Sequence, residues 1–221
     1  MPGFFLIAGF FAALLLERRA RGEWLKGRAE RLGVPLLFGV LTIVPVQAAI
    51  IARAPADIVD RAAGASVLSH LWFLPALLML SLLLAAAWPL VTRLARLPVP
   101  GILTLAVGVA FYELALFAGQ SLLGDLSFAA GFLDMGAVAS YLPFFAIGVA
   151  MRLSPAMWRQ FAHPNLPVLA VGLVALMLHV SLWDDPTRIG LALDILFEGV
   201  SSLCLTQAVL AGLLRIVRHG S

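Results

Sequence analysis

The sequence predicts an all-α protein, a polytopic membrane helical bundle with about seven transmembrane helices in this chain. Three observations predict it. Hydrophobic residues make up 62% of the 221 positions and charged residues only 12%, against roughly 25% charged in soluble domains. The mean hydropathy is +1.02. Apolar runs close to twenty residues long recur along the whole chain, and a helix of roughly that length crosses a hydrocarbon core ~30 Å thick. No stretch has the composition of a soluble domain, so residues 1–221 read as a single membrane domain.

Seven apolar segments follow in order, at about 2–16, 32–52, 69–92, 99–118, 135–151, 166–183 and 189–214. The first is short: as a helix its fifteen residues reach only about 22 Å at ~1.5 Å per residue. It is not a secretory signal, because its basic residues follow the apolar run. Its lack of an outer flank reads as a helix that begins before Met1, and Arg218-His219-Gly220-Ser221 reads as the start of a further loop. Pro35 is expected in the first turn of the second helix, where a missing N–H costs little. Pro45, Pro75, Pro89 and Pro143 fall within segments and are expected to kink them. Gly39, Gly108 and Gly148 are expected to permit close helix packing. The lone cysteine, Cys204, lies inside an apolar run, which gives no disulfide framework and no metal-ligand spacing.

The basic residues orient the bundle. Glu17 to Arg31 holds six of the fifteen Lys+Arg residues, and 93–98, 152–165 and the tail hold two each. On the opposite side 53–68 holds Arg53 and Arg61, 119–134 none, and 184–188 only Arg188. Twelve against three is a positive-inside bias that puts the N-terminus outside and the C-terminus in the cytoplasm. The sequence pI near 9.7 thus comes from short loops beside apolar runs, which argues topology and membrane lipids and against a nucleic-acid partner.

Ionisable side chains inside spans are costly and are the first candidates for function. They are His70 at the start of the third segment, Glu113 in the fourth, His179 in the sixth, and Asp194 and Glu198 in the seventh. Asp194 falls about 9 Å and Glu198 about 15 Å below Arg188 at ~1.5 Å rise. The two are spaced i,i+4 and share a helix face. By the inferred orientation all five lie in the outer half or near the middle, which points to a polar cavity opening outward. Pairwise structural contacts are the alternative. Tyr112 and Gln207 are weaker candidates for the same network.

The cytoplasmic arginines divide in two. Arg18, Arg19, Arg21 and Lys26 suit anionic lipid, worth about 1 kcal/mol per basic residue near the surface. Arg28 and Arg31, at i,i+3, aim two guanidiniums to one side of a helix and match phosphate oxygens in bidentate geometry.

Four stretches together resemble the acyltransferase 3 family of integral membrane acyltransferases. They are Pro2-Gly3-Phe4-Phe5-Leu6-Ile7-Ala8-Gly9-Phe10, Arg28-x-x-Arg31-Leu32-x-x-Pro35, His70-Leu71-Trp72-Phe73-Leu74, and Tyr141-Leu142-Pro143-Phe144-Phe145-Ala146-Ile147-Gly148. The third is most similar to the branch with glucan biosynthesis protein C-like members. The resemblance spans about residues 2–218. It implies a bundle of about ten helices in a bacterial inner membrane, taking an acyl group from cytoplasmic acyl-CoA to a hydroxyl of a sugar or glycan, with no other cofactor. It implies that Arg28 and Arg31 hold the donor's phosphates. His70, Trp72, Glu113, His179, Asp194 and Glu198 would then face the acceptor. The family's arginine and essential histidine belong to a helix ahead of the Pro-x-Phe-Phe stretch. On this reading the chain is a fragment without that helix and without the final ones, and its own activity is in doubt. His70 is a candidate helper in their place. A small proton- or cation-coupled transporter or channel using Glu113, Asp194 and Glu198 remains the other reading, without the paired broken helices that would favour it.

Overall fold

Leucine, alanine and phenylalanine runs with no water to bond must close their backbone hydrogen bonds internally, and they do so as helices. The computed structural model describes residues 1–53, 71–123, 127–128, 133–183 and 187–219. His70 and Arg61, with the rest of 54–70, lie outside the described residues. The helices are α1 (Pro2–Leu16), α2 (Arg21–Ile51), α3 (Phe73–Leu94), α4 (Ile102–Leu123), α5 (Met135–Leu153), α6 (Pro155–Ala162), α7 (Leu166–Leu182) and α8 (Arg188–His219). Just before α5 a two-residue antiparallel pairing, β1 (Ser127–Phe128) with β2 (Leu133–Asp134), sets Ser127 against Asp134 and Phe128 against Leu133. Among the described residues, α2, α3, α4, α5 and α8 are each long and apolar enough to cross a membrane. Helices α6 and α7, bent by 69° at their junction, count as a sixth span if taken together, and α1 is shorter. The chain is an all-helical integral membrane protein.

Three elements differ from their sequence reading. The basic stretch expected as a loop forms the first turns of α2, because its Ala, Leu, Glu, Lys and Arg residues are good helix formers. Pro35 therefore lies inside a helix together with Pro45, instead of in the first turn. Pro75 is the third residue of α3, where it interrupts no intrahelical bond and needs no kink. The 152–165 loop contains α6, which is punctuated by caps. Ser154 Oγ accepts from the Met157 N–H at 3.4 Å with Pro155 at the first helical position, and Asn165 Oδ1 accepts from the Val168 N–H at 3.3 Å to start α7.

The chain divides into two compact units. One comprises Met1–Leu14, Pro89–Gly124 and Ser140–Ser221, and the other Leu15–Trp88 and Asp125–Ala139. In the first unit α7 packs along α8, and α8 along α4. Helix α1 meets α5 at glycines: a Cβ on Gly9 would strike the Phe145 carbonyl, and one on Gly148 the Leu6 carbonyl. Buried Phe5, stacked on Tyr141 at 4.4 Å, and Phe10, 5.3 Å from Trp158, flank that contact. Gly148 and Gly39 thus sit in close contacts, whereas Gly108 faces open space. In the second unit α2 leaves Leu37, Phe38, Leu41 and Val46 exposed, an apolar face suited to lipid.

Candidate functional site

Both units carry candidate side chains, one cluster in the second unit and two groups in the first. In the second unit the first turns of α2 place Trp24, Gly27, Arg28 and Arg31 on one face, the i, i+3, i+4, i+7 stripe. Trp24 is 2% exposed, Arg28 is half-buried, and Arg31 is exposed. The Arg28 Cζ lies 5.4 Å from the centre of the Trp24 ring, a cation–π distance. Arg28 and Arg31 are close enough to feel each other's charge. A planar guanidinium braced on an indole loses less freedom when it binds, and two guanidiniums on one face attract an anion with several oxygens. Trp72, also in this unit, is half-buried just ahead of α3.

In the first unit the intramembrane ionisable residues sort into two groups. Gly199 permits the approach that makes the first: a Cβ there would stand 2.7 Å from the Ala110 Cα, so α4 and α8 nearly touch. One turn further along α4 stands Glu113, within electrostatic reach of Glu198 on α8 and hydrogen-bonded to the side chain of Ser140 on α5. The Tyr141 phenol is within reach of both carboxyls. Tyr112 feels Glu113 as well. Carboxylates, a serine hydroxyl and a phenol together can accept from and donate to a sugar's hydroxyl groups.

The second group is His179 with Asp194, whose Nδ1 and Oδ1 are 2.7 Å apart at 12% and 16% side-chain exposure. The separation is that of an ion pair, without the alignment of a well-formed hydrogen bond. Trp183 meets the His179 ring edge-on at 5.4 Å. Asp194 and Glu198 do lie one turn apart on α8, but each is engaged by a different partner helix. His70 lies outside the described residues.

Sequence reasoning missed Ser140 as a partner of Glu113, and saw Tyr141 only as part of a resembling stretch. A serine next to a tyrosine near the start of a span was the available signal. Gln207 is not in the network. It is fully buried, and its Nε2 donates to the carbonyls of His163 at 2.8 Å and Gln160 at 3.4 Å, where α6 gives way to α7.

An all-helical bundle with five helices long and apolar enough to cross a membrane, carrying an arginine pair and a group of intramembrane carboxyls among the described residues, defines the class of a polytopic membrane protein. The family model described as Acyl_transf_3, an acyltransferase domain, matches residues 1–218, and this chain belongs to the acyltransferase 3 family. No curated protein and no solved structure matches the chain.

Proposed function

We propose that this protein is an O-acyltransferase that takes an acyl group from cytoplasmic acyl-CoA and delivers it to a hydroxyl of a sugar or glycan on the non-cytoplasmic side of a bacterial inner membrane. The observation that carries the reading is the arginine stripe on α2, with Arg28 held against Trp24 and Arg31 one turn on. The positive-inside count favours the cytoplasmic face for this stripe, which supports acyl-CoA as the donor. Its chemistry fits phosphate, the most highly charged part of that donor.

The reaction forms a C–O bond from the acceptor hydroxyl to the acyl carbonyl and breaks the C–S bond of the thioester. The hydroxyl proton leaves, and the thiol of coenzyme A departs. Arg28 and Arg31 bind and orient the donor. Glu113, Ser140, Tyr141 and Glu198 hold acceptor hydroxyls by hydrogen bonds, and His179 with Asp194 supports the outer end of the same acceptor path.

The test is transfer from labelled acyl-CoA to a glycan acceptor by the full-length protein in membranes. Arg28→Ala and Arg31→Ala are each expected to lower turnover by about a hundredfold, the loss of a charge-assisted, bidentate contact of roughly 3 kcal/mol, with membrane insertion unchanged. Full activity in both variants would sink the donor assignment.

A further inference from the structure

We propose that a groove between α1 and α8 holds the acyl chain of the donor, and that the group transferred is a fatty acyl of medium length. The proposal rests on the reading of this protein as an acyl-CoA-dependent O-acyltransferase.

Both walls of the groove belong to the first unit. Gly3, Phe4 and Ile7 of α1 and Thr206, Val209 and Leu213 of α8 line a hollow of about 330 Å³. The three α8 residues are spaced i, i+3, i+7 and form one stripe of that helix. Gly3 lets the helices approach at one point, where a Cβ on it would stand 3.5 Å from the Thr206 Cγ2. Phe4, Ile7, Val209 and Leu213 are exposed, so the hollow has an open side. Apart from the Thr206 hydroxyl its lining side chains are apolar, a surface for a hydrocarbon chain and not for a sugar or a phosphate.

Volume sets the length of that chain. A methylene group fills about the space of a water molecule, ~30 Å³, so the groove takes on the order of ten carbons. Inside a membrane an apolar chain gains nothing by leaving water, and close packing is what selects it. A groove of this size packs a chain of matching length and leaves voids around a shorter one.

The groove's position commits it to the donor. Phe4 and Leu6 line it, while Phe5 between them is fully buried and stacks on the Tyr141 ring at 4.4 Å. The Tyr141 phenol is within reach of Glu113 and Glu198, the carboxyls read above as holding the acceptor. Helix α1 is therefore a wall common to both places. On α8, Thr206 follows Glu198 by eight residues, about 12 Å at ~1.5 Å rise. A chain lying in the groove with its carbonyl toward Phe5 presents the thioester to the acceptor hydroxyl. The tail of a membrane lipid would have no use for that continuity.

The experiment is photolabelling of the full-length protein in membranes with decanoyl-CoA carrying a diazirine at its terminal carbon, the labelled peptides being read by mass spectrometry. Label is expected on residues 3–7 and 206–213, displaced by unlabelled decanoyl-CoA and not by acetyl-CoA. Val209→Trp puts a large ring into the groove from an exposed position. It is expected to lower both the labelling and the ratio of decanoyl to acetyl transfer about tenfold, the scale on which a filled apolar pocket discriminates. Leu213→Trp, also exposed, repeats the test where Val209→Trp loosens the helix. Ile216→Trp, exposed on the same helix and outside the groove, is expected to behave as the parent does. Groove labelling that unlabelled decanoyl-CoA leaves undiminished would put a membrane lipid there and overturn the proposal. An unlabelled groove, as a second copy covering it would give, or an equal loss in Ile216→Trp, overturns it too. If the groove stays unlabelled while acetyl-CoA supports transfer, the groove fails and the acyltransferase reading stands. If no acyl-CoA of any length supports transfer, the acyltransferase reading fails with it.

Discussion

Glu113 and Glu198 come from helices far apart in sequence, yet Glu198 lies within electrostatic reach of Glu113. Residues within reach of each other respond as a pair to substitution. A double-mutant cycle of Glu113→Gln and Glu198→Gln, read by thermal unfolding in detergent, is therefore expected to be non-additive by about 0.5–3 kcal/mol. Additive effects would separate the two residues into independent contacts. The sequence marked both as costly intramembrane acids, but it could not pair them. Pairing needed the Gly199–Ala110 approach, a property of two backbones that no spacing within one helix reveals. Asp194 illustrates the converse. Its i,i+4 relation to Glu198 was legible, while its engagement by His179 depends on where α7 packs. Ser140 was invisible for the same reason, since a serine in a span ordinarily bonds its own helix, as Ser81 does to the Leu77 carbonyl.

Among the elements, the contact of α1 with α5 leaves no room for a Cβ on either side, at Gly9 or at Gly148. Gly148→Val is expected to destabilise the protein by at least about 1–3 kcal/mol, the usual range for overpacking, since the obstacle is a backbone carbonyl with little room to yield. Thermal unfolding in detergent measures it, and a loss within error would contradict the contact. The break between α6 and α7 has a different support. Gln207 holds two carbonyls there, so Gln207→Leu, similar in bulk, is expected to cost about 1–3 kcal/mol for acceptors left unpaired. Apolar run lengths located every long helix to within a few residues at most ends. The exceptions have physical causes. The start of α2 is polar, so hydropathy missed a segment that helix propensity supports, and the eight-residue α6 is too short and too mixed to register as an apolar run.

Over the whole molecule, composition gave the class, a polytopic helical membrane protein. The chain folds as two compact units, one with Arg28 and Arg31 and one with Glu113 and Glu198. The proposed function assigns the donor to the first pair and the acceptor to the second. The measurement that tests it most directly uses sealed membrane vesicles holding the full-length protein and a panel of labelled acyl-CoAs added outside. Inverted vesicles, with the cytoplasmic face outward, are expected to transfer label to a glycan enclosed in the lumen. Right-side-out vesicles, and inverted vesicles carrying Arg28→Ala with Arg31→Ala, are expected to transfer none. Equal transfer from both orientations, or transfer undiminished in the double variant, would contradict a cytoplasmic donor site built on these arginines.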